Sequence, residues 1–350
     1  MSAALTVVSD THVVLQHALH RENFTLDVDV RIPSKGITGL FGESGSGKTT
    51  LLRCIAGLEK GDDGESLPAH KRGIGYVFQE PQLFPHLDVR DNIRFGLKRS
   101  VSPQLDEQQV VQMLGLESLL HRRPTELSGG EAQRVAIAAV LLRSPQLILM
   151  DEPLASLDQR RKDELLPYLD CLHDELSVPI IYVSHDIDEV SRLCDHLLLI
   201  DSGKIVASGE LHEMLSRLDV PILYGRNAGT VIQAMPERYD ADYDLTRFRF
   251  SGGEILVPGH YDVNTPNLRL RIAASDVSLC VTRPQKTSIL NVLPAEVDDI
   301  QPTGPSTDLV RLVIGDDFFL AQVTRLSVAR LDLKKGDQVF AQVKSVTVRR

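Results

Sequence analysis

Ile37-Thr38-Gly39-Leu40-Phe41-Gly42-Glu43-Ser44-Gly45-Ser46-Gly47-Lys48-Thr49-Thr50 is the stretch that decides how this chain folds. Its first five residues are almost continuously apolar, as in a strand buried on both faces of a parallel sheet. Residues 49–58 suit a helix. Between strand and helix lies G-x-x-x-x-G-K-T. Glycines there let backbone N–H groups turn inward around phosphate oxygens, and the helix N-terminus adds a favourable dipole. Gly42, Glu43, Ser44, Gly45, Ser46, Gly47, Lys48, Thr49 and Thr50 are therefore expected to cradle the phosphates of a nucleotide. Lys48 would reach the β- and γ-phosphates and the Thr49 hydroxyl would ligate Mg²⁺.

Working outward, 147–152 reads Leu-Ile-Leu-Met-Asp-Glu. A buried strand here delivers two acids at its C-terminal end, where ligands sit in open α/β sheets. Asp151 is expected to hold Mg²⁺ and Glu152 to orient or deprotonate an attacking water. An acidic helix cap is the alternative, and the nearby phosphate loop outweighs it. Further apolar runs at 75–78, 180–183 and 197–200 predict strands, and 130–142 and 160–176 predict helices. Residues 201–204 (DSGK) predict a hairpin turn. Together these give a mixed α/β nucleoside-triphosphatase of unstated type.

Leu127-Ser128-Gly129-Gly130-Glu131-Ala132-Gln133-Arg134 supplies the type. It is a second Gly-rich turn at a helix N-terminus, so a second anion site, and Ser128 with Glu131 forms a natural capping box. The segment resembles the signature motif of the ABC ATPases. The resemblance implies a P-loop ABC ATPase domain, a mixed sheet with a helical subdomain. It also implies that Ser128, Gly129 and Gly130 face ATP held by a second copy, in a head-to-tail dimer. Gln79 after GYVF resembles the glutamine that contacts Mg²⁺ or water. Asp158 in Ser-Leu-Asp resembles the loop that crosses the dimer interface. His185 resembles the switch histidine at the γ-phosphate. The aromatic residue that stacks on adenine in this family is poorly matched: Phe24 is nearest, with His17 and His20 as others. The stretch between Cys54 and Lys71 is short for the family. The segment 80–87 (EPQLFPHL) resembles the groove that accepts a transmembrane subunit.

After about residue 225 helical periodicity gives way to short alternating runs separated by Pro, Gly, Asn and Asp, the pattern of a small all-β module. Expected boundaries are 1–225 for the ATP-binding domain, 226–284 for a linking β region and 285–350 for an OB-like module of the Mop/TOBE kind. The segments 287–297 (TSILNVLPAEV), 320–328 and 340–346 resemble the tail of molybdate importer ATPases. The resemblance implies molybdate on the tail, with Ser288, Lys344 and Ser345 as oxyanion contacts. Leu290 departs from it, since a basic residue is common there. A tail that only braces the dimer is an equal alternative. Related tails occur in importers of sulfate, ferric iron and sugars.

Composition constrains the rest. A net charge of −10 argues against a nucleic-acid-binding face. The four cysteines form no C-x-x-C pair, which suggests reduced thiols rather than zinc or disulfides. No basic-then-apolar leader opens the sequence and no run of about 18 apolar residues occurs, so any membrane role runs through a partner. The resemblance implies permease subunits as that partner, a periplasmic or extracellular substrate-binding protein indirectly, and a peripheral position on the cytoplasmic face of the cell membrane. A soluble ABC ATPase acting on DNA or ribosomes is the rival class. Against it, Ser128 lies only 80 positions after Lys48, with no heptad run between.

Overall fold

The computed structural model describes residues 6–9, 11–60, 62, 67–97, 105–220, 223, 228–265 and 268–349. The chain divides into two compact units, Met1–Gly209 and Glu210–Arg350.

The first unit is built on a nine-stranded sheet ordered β1-β2-β3-β9-β8-β4-β7-β6-β5. Its strands are β1 (Thr6–Ser9), β2 (His12–Arg21), β3 (Phe24–Pro33), β4 (Ile37–Phe41), β5 (Ile74–Val77), β6 (Leu147–Asp151), β7 (Ile180–Val183), β8 (His196–Asp201) and β9 (Lys204–Glu210). Strands β4, β6 and β7 are buried at every residue, because helices cover both faces. Strands β2 and β3 alternate instead: Leu26, Val28 and Ile32 point to the core while Thr25, Asp27, Asp29 and Arg31 do not. That one-faced pattern belongs to an antiparallel pair, and β2 and β3 pair antiparallel along their full length. The neighbours β8–β4–β7–β6–β5 run parallel. Register aligns Gly39 with Tyr182, Met150 with Tyr182 and Val77 with Met150, so the C-terminal ends of β4 to β7 lie along one edge.

The helices of this unit are α1 (Lys48–Ala56), α2 (Val89–Arg94), α3 (Glu107–Met113), α4 (Gly129–Leu141), α5 (Gln159–Glu175) and α6 (Ile187–Leu193). Each predicted helix and strand is found within about two residues of its expected bounds, the usual scatter of frayed ends. The end of α1 is closed by Arg72, whose guanidinium donates to the carbonyls of Cys54 and Ile55 at 2.6 Å each. The shortened stretch noted between Cys54 and Lys71 falls partly outside the described residues.

The second unit holds two five-stranded sheets, β12-β11-β10-β13-β19 and β14-β18-β15-β16-β17. These are β10 (Gly229–Asp240), β11 (Leu245–Phe250), β12 (Gly253–Pro258), β13 (Leu268–Ala273), β14 (Val277–Cys280), β15 (Asn291–Pro302), β16 (Thr307–Ile314), β17 (Asp317–Thr324), β18 (Gln338–Val343) and β19 (Thr347–Arg349), with short helices α7 (Leu211–Leu215) and α8 (Arg325–Arg330). Pairing is antiparallel throughout. Phe248, Ile255, Val297, Leu312 and Phe319 join both sheets in one core. The sequence texture changes near 225–230, of which 225–227 lie outside the described residues. Compactness divides the chain earlier, after Gly209, because α7 packs on β10 and so belongs with the β-rich unit.

Candidate nucleotide site

The phosphate loop leaves β4 and enters α1 through Gly45 (φ +83°) and Gly47 (φ +105°), backbone angles that side chains with a Cβ rarely adopt. A Cβ on Gly47 would meet the Phe24 ring at 2.6 Å. The loop closes on Lys48, whose Nζ donates to the carbonyls of Gly42 at 2.9 Å and Glu43 at 2.8 Å. Burial lowers the Lys48 pKa, and the carboxylates of Glu152 and Asp151 pull it back up. An ammonium has three protons, so a third donor is left over. The Ser46 hydroxyl is buried in the loop with no hydrogen-bond partner. Buried polar atoms are almost always satisfied, so this orphan points to a ligand with acceptor oxygens. The loop therefore fits a polyphosphate.

At the end of β6, Asp151 is 7% exposed. Its Oδ1 accepts from the Thr49 hydroxyl at 3.0 Å and its Oδ2 from the Tyr76 hydroxyl at 2.8 Å. Burial first, and the Asp151 charge second, push the Tyr76 hydroxyl far above its ordinary pKa, so it stays a donor. Among the described residues no cluster of three or more His, Cys, Asp or Glu could hold a metal unaided. Thr49 and Asp151 together offer two oxygen ligands, which suits Mg²⁺ completed by phosphate oxygens and water. Tyr76 was missed in the sequence reading, because a hydroxyl inside an apolar strand looks like core.

Glu152 follows with φ +47°, a left-handed conformation that is strained for a glutamate. Its backbone N–H donates to Val183 at 3.1 Å, and its Oε2 lies 3.2 Å from His185 Nδ1. The ends of β6 and β7 thus bring Glu152 and His185 together. Glu152, Lys48, Thr49, Gly45, Phe24 and Arg21 line one open cleft of about 520 Å³. Phe24 also packs on the core, and His17 is buried in β2.

Gln79, His185, Asp158 and the turn at 128–130 are not among the residues that line this cleft. Gln79 is exposed after β5. Its neighbour Phe78 accepts a hydrogen bond at 3.1 Å from Gln133, a fully buried residue of α4. Ser128 caps α4, accepting from Glu131 N–H at 3.3 Å, while Glu131 Oε2 accepts from Ser128 N–H at 2.7 Å. Ser128 and Gly130 line a second cleft of about 340 Å³ with Arg134, Arg161 and Tyr168. Asp158 caps α5 through Arg161 N–H at 3.0 Å. In the second unit, β15 and β18 pair Asn291 with Val343, so the turn at 288–290 and residues 344–345 sit side by side at one sheet end. Thr287 Oγ1 ties that turn to Gln342 at 3.2 Å. Ser288, Lys344 and Ser345 are exposed there, as is Leu290.

Fold and site define an ATPase of the ABC transporter class. Residues 25–155 match the ABC transporter family and 287–349 the TOBE domain. The chain is 47% identical to the molybdenum import ATP-binding protein ModC 1 of Azotobacter vinelandii, covering 93% of this chain and 95% of the relative. It is 49% identical to the molybdenum import ATP-binding protein ModC of Thiobacillus denitrificans, covering 93% and 94%. Among solved structures it resembles cbiO1 from Clostridium perfringens, part of the ABC transporter complex cbiONQ. That likeness has a TM-score of 0.51 and 26% identity, over 61% of this chain and 94% of the other. The chain belongs to the ModC family of ABC transporter ATP-binding proteins.

Proposed function

We propose that this chain is the ATP-hydrolysing subunit of an importer that carries molybdate across a membrane. The observation that carries the reading is the extent of the likeness: relatives described as molybdenum import ATP-binding proteins match across both units, β module included.

Two copies bind ATP head to tail, the phosphate loop of one facing Ser128, Gly129 and Gly130 of the other. Two separate clefts in one chain, one lined by the phosphate loop and one by Ser128 and Gly130, support this. Lys48 and the loop N–H groups bind and orient the β- and γ-phosphates. Thr49 and Asp151, joined by Gln79 on the family resemblance, would hold Mg²⁺, which would supply charge neutralisation at the phosphate oxygens. Glu152 holds the attacking water and His185 contacts the γ-phosphate. Asp158 meets the second copy across the interface. Among the described residues no helix is long and apolar enough to cross a membrane, so transport requires permease subunits docked at 80–87. A substrate-binding protein delivers the ion from the other side, and this subunit sits at the cytoplasmic face. Ser288, Lys344 and Ser345 form the oxyanion site of the tail.

Reconstitution with the permease tests the reading. ATP inside vesicles drives uptake of molybdate and not of sulfate, ferric iron or maltose. ATP-driven uptake of one of those others, with none of molybdate, overturns the substrate. Titration calorimetry with molybdate, with and without Lys344→Ala, tests the tail. Binding lost in the variant supports it, and no binding to the parent protein reduces the tail to a brace.

A further inference from the structure

Glu189 of α6 is a carboxylate only 5% exposed and outside the nucleotide cleft. Its Oε2 accepts from the Tyr182 hydroxyl at 2.9 Å and from the Ser184 hydroxyl at 2.8 Å. Its Oε1 accepts from Lys162 Nζ at 2.6 Å. Ser184 Oγ in turn accepts from the Asp186 N–H at 3.0 Å, and Lys162 also lies 3.4 Å from Asp186 Oδ2. The residues so tied, Tyr182, Ser184 and Asp186, bracket His185. Lys162 is one turn into α5, and its backbone N–H donates to the Asp158 carbonyl at 3.0 Å. One buried carboxylate thus connects the backbone on both sides of His185 to the helix that Asp158 caps.

Burying an ion pair is costly, and an apolar pair of similar volume usually serves stability as well or better. A fully satisfied buried network does fix geometry, because each partner has one arrangement that leaves no polar group orphaned. The pair also spans two loops that meet different copies in the proposed dimer. We infer that Lys162 and Glu189 are positioning residues that hold His185 in register with Asp158, so that closure against the second copy is transmitted to the histidine at the γ-phosphate. This rests on the proposed roles of His185 and Asp158.

ATP hydrolysis by the full chain is measured with Lys162→Met, Lys162→Arg and Ser184→Ala, alongside equilibrium nucleotide binding and thermal unfolding. Lys162→Met lowers kcat by about 10- to 100-fold, the scale of a misplaced catalytic group, with nucleotide affinity held within about twofold. Lys162→Arg restores kcat to within about threefold of the parent, because it keeps the charge pair. Ser184→Ala keeps the pair but cuts the route through Ser184 Oγ to the Asp186 N–H, leaving only the 3.4 Å contact of Lys162 with the Asp186 carboxylate, and it too lowers kcat without weakening binding. It decides the matter alone should Lys162→Met fail to fold. Parental kcat in folded Ser184→Ala or Lys162→Met overturns the inference, as does a loss of kcat that tracks lost affinity. A parallel His185→Ala separates the layers. If it hydrolyses normally, the role given to His185 fails; if it is inactive while Lys162→Met is active, only the coupling fails.

Discussion

Tyr76→Phe removes one atom, the hydroxyl that donates to Asp151 Oδ2 at 2.8 Å, and leaves the ring in place. Asp151 is nearly buried, so water cannot readily replace the lost donor, and only the Thr49 hydroxyl still fixes the carboxylate. A hydrogen bond to a charged group contributes about 1.5–3 kcal/mol. That converts to about 10- to 100-fold, which is also the range seen when the outer partner of a metal ligand is lost. The variant therefore needs about 10- to 100-fold more Mg²⁺ for half-maximal ATP hydrolysis. The assay is phosphate release at saturating ATP across a Mg²⁺ series, with thermal unfolding as the folding control. An unchanged Mg²⁺ midpoint in a folded variant refutes the placement of Tyr76 behind Asp151 as the proposed metal ligand.

Gly47→Ala puts a Cβ at 2.6 Å from the Phe24 ring and at φ +105°, so nucleotide binding is lost and the chain is destabilised by about 1–3 kcal/mol, read by calorimetric melting. Arg192 and Asp170, each 15% exposed, form a bidentate pair between α6 and α5. Arg192→Met alone costs about 3 kcal/mol in urea unfolding, while the double variant with Asp170→Leu recovers most of it. The Ser128 backbone N–H, and then the Ser128 side chain, hold the Glu131 carboxyl below its ordinary value of 4.5. Its cap therefore stabilises α4 at neutral pH and fades as pH falls from about 4.5 through the lowered value. The gap between parent and Glu131→Ala in thermal melting, about 1 kcal/mol near neutrality, closes in acid.

Much of this was legible because particular residues carry more than one signal. Strands β4, β6 and β7 announce themselves as unbroken apolar runs, and the motifs sit at their C-terminal ends, so fold and candidate site were read from the same segments. Ser128 with Glu131 was readable as a capping box because both halves lie within four residues. Contacts between distant segments were not readable. Tyr76 meets Asp151, Lys162 meets Glu189 and Gln133 meets Phe78 only after the sheet sets strand order and helices pack across it. The antiparallel β2–β3 pair was overlooked although Leu26, Val28 and Ile32 alternate plainly with polar residues. The compact division after Gly209 lies before the expected boundary at 225, because the packing of α7 on β10 is a tertiary fact that sequence texture does not carry.

The central claim is a composite site in which Glu152 drives hydrolysis only across two copies. Light scattering of Glu152→Gln with and without ATP tests it most directly. The account predicts a monomer without nucleotide and a stable dimer with ATP, accompanied by loss of turnover. A variant that binds ATP yet stays monomeric, or one that hydrolyses ATP at the parental rate, contradicts it.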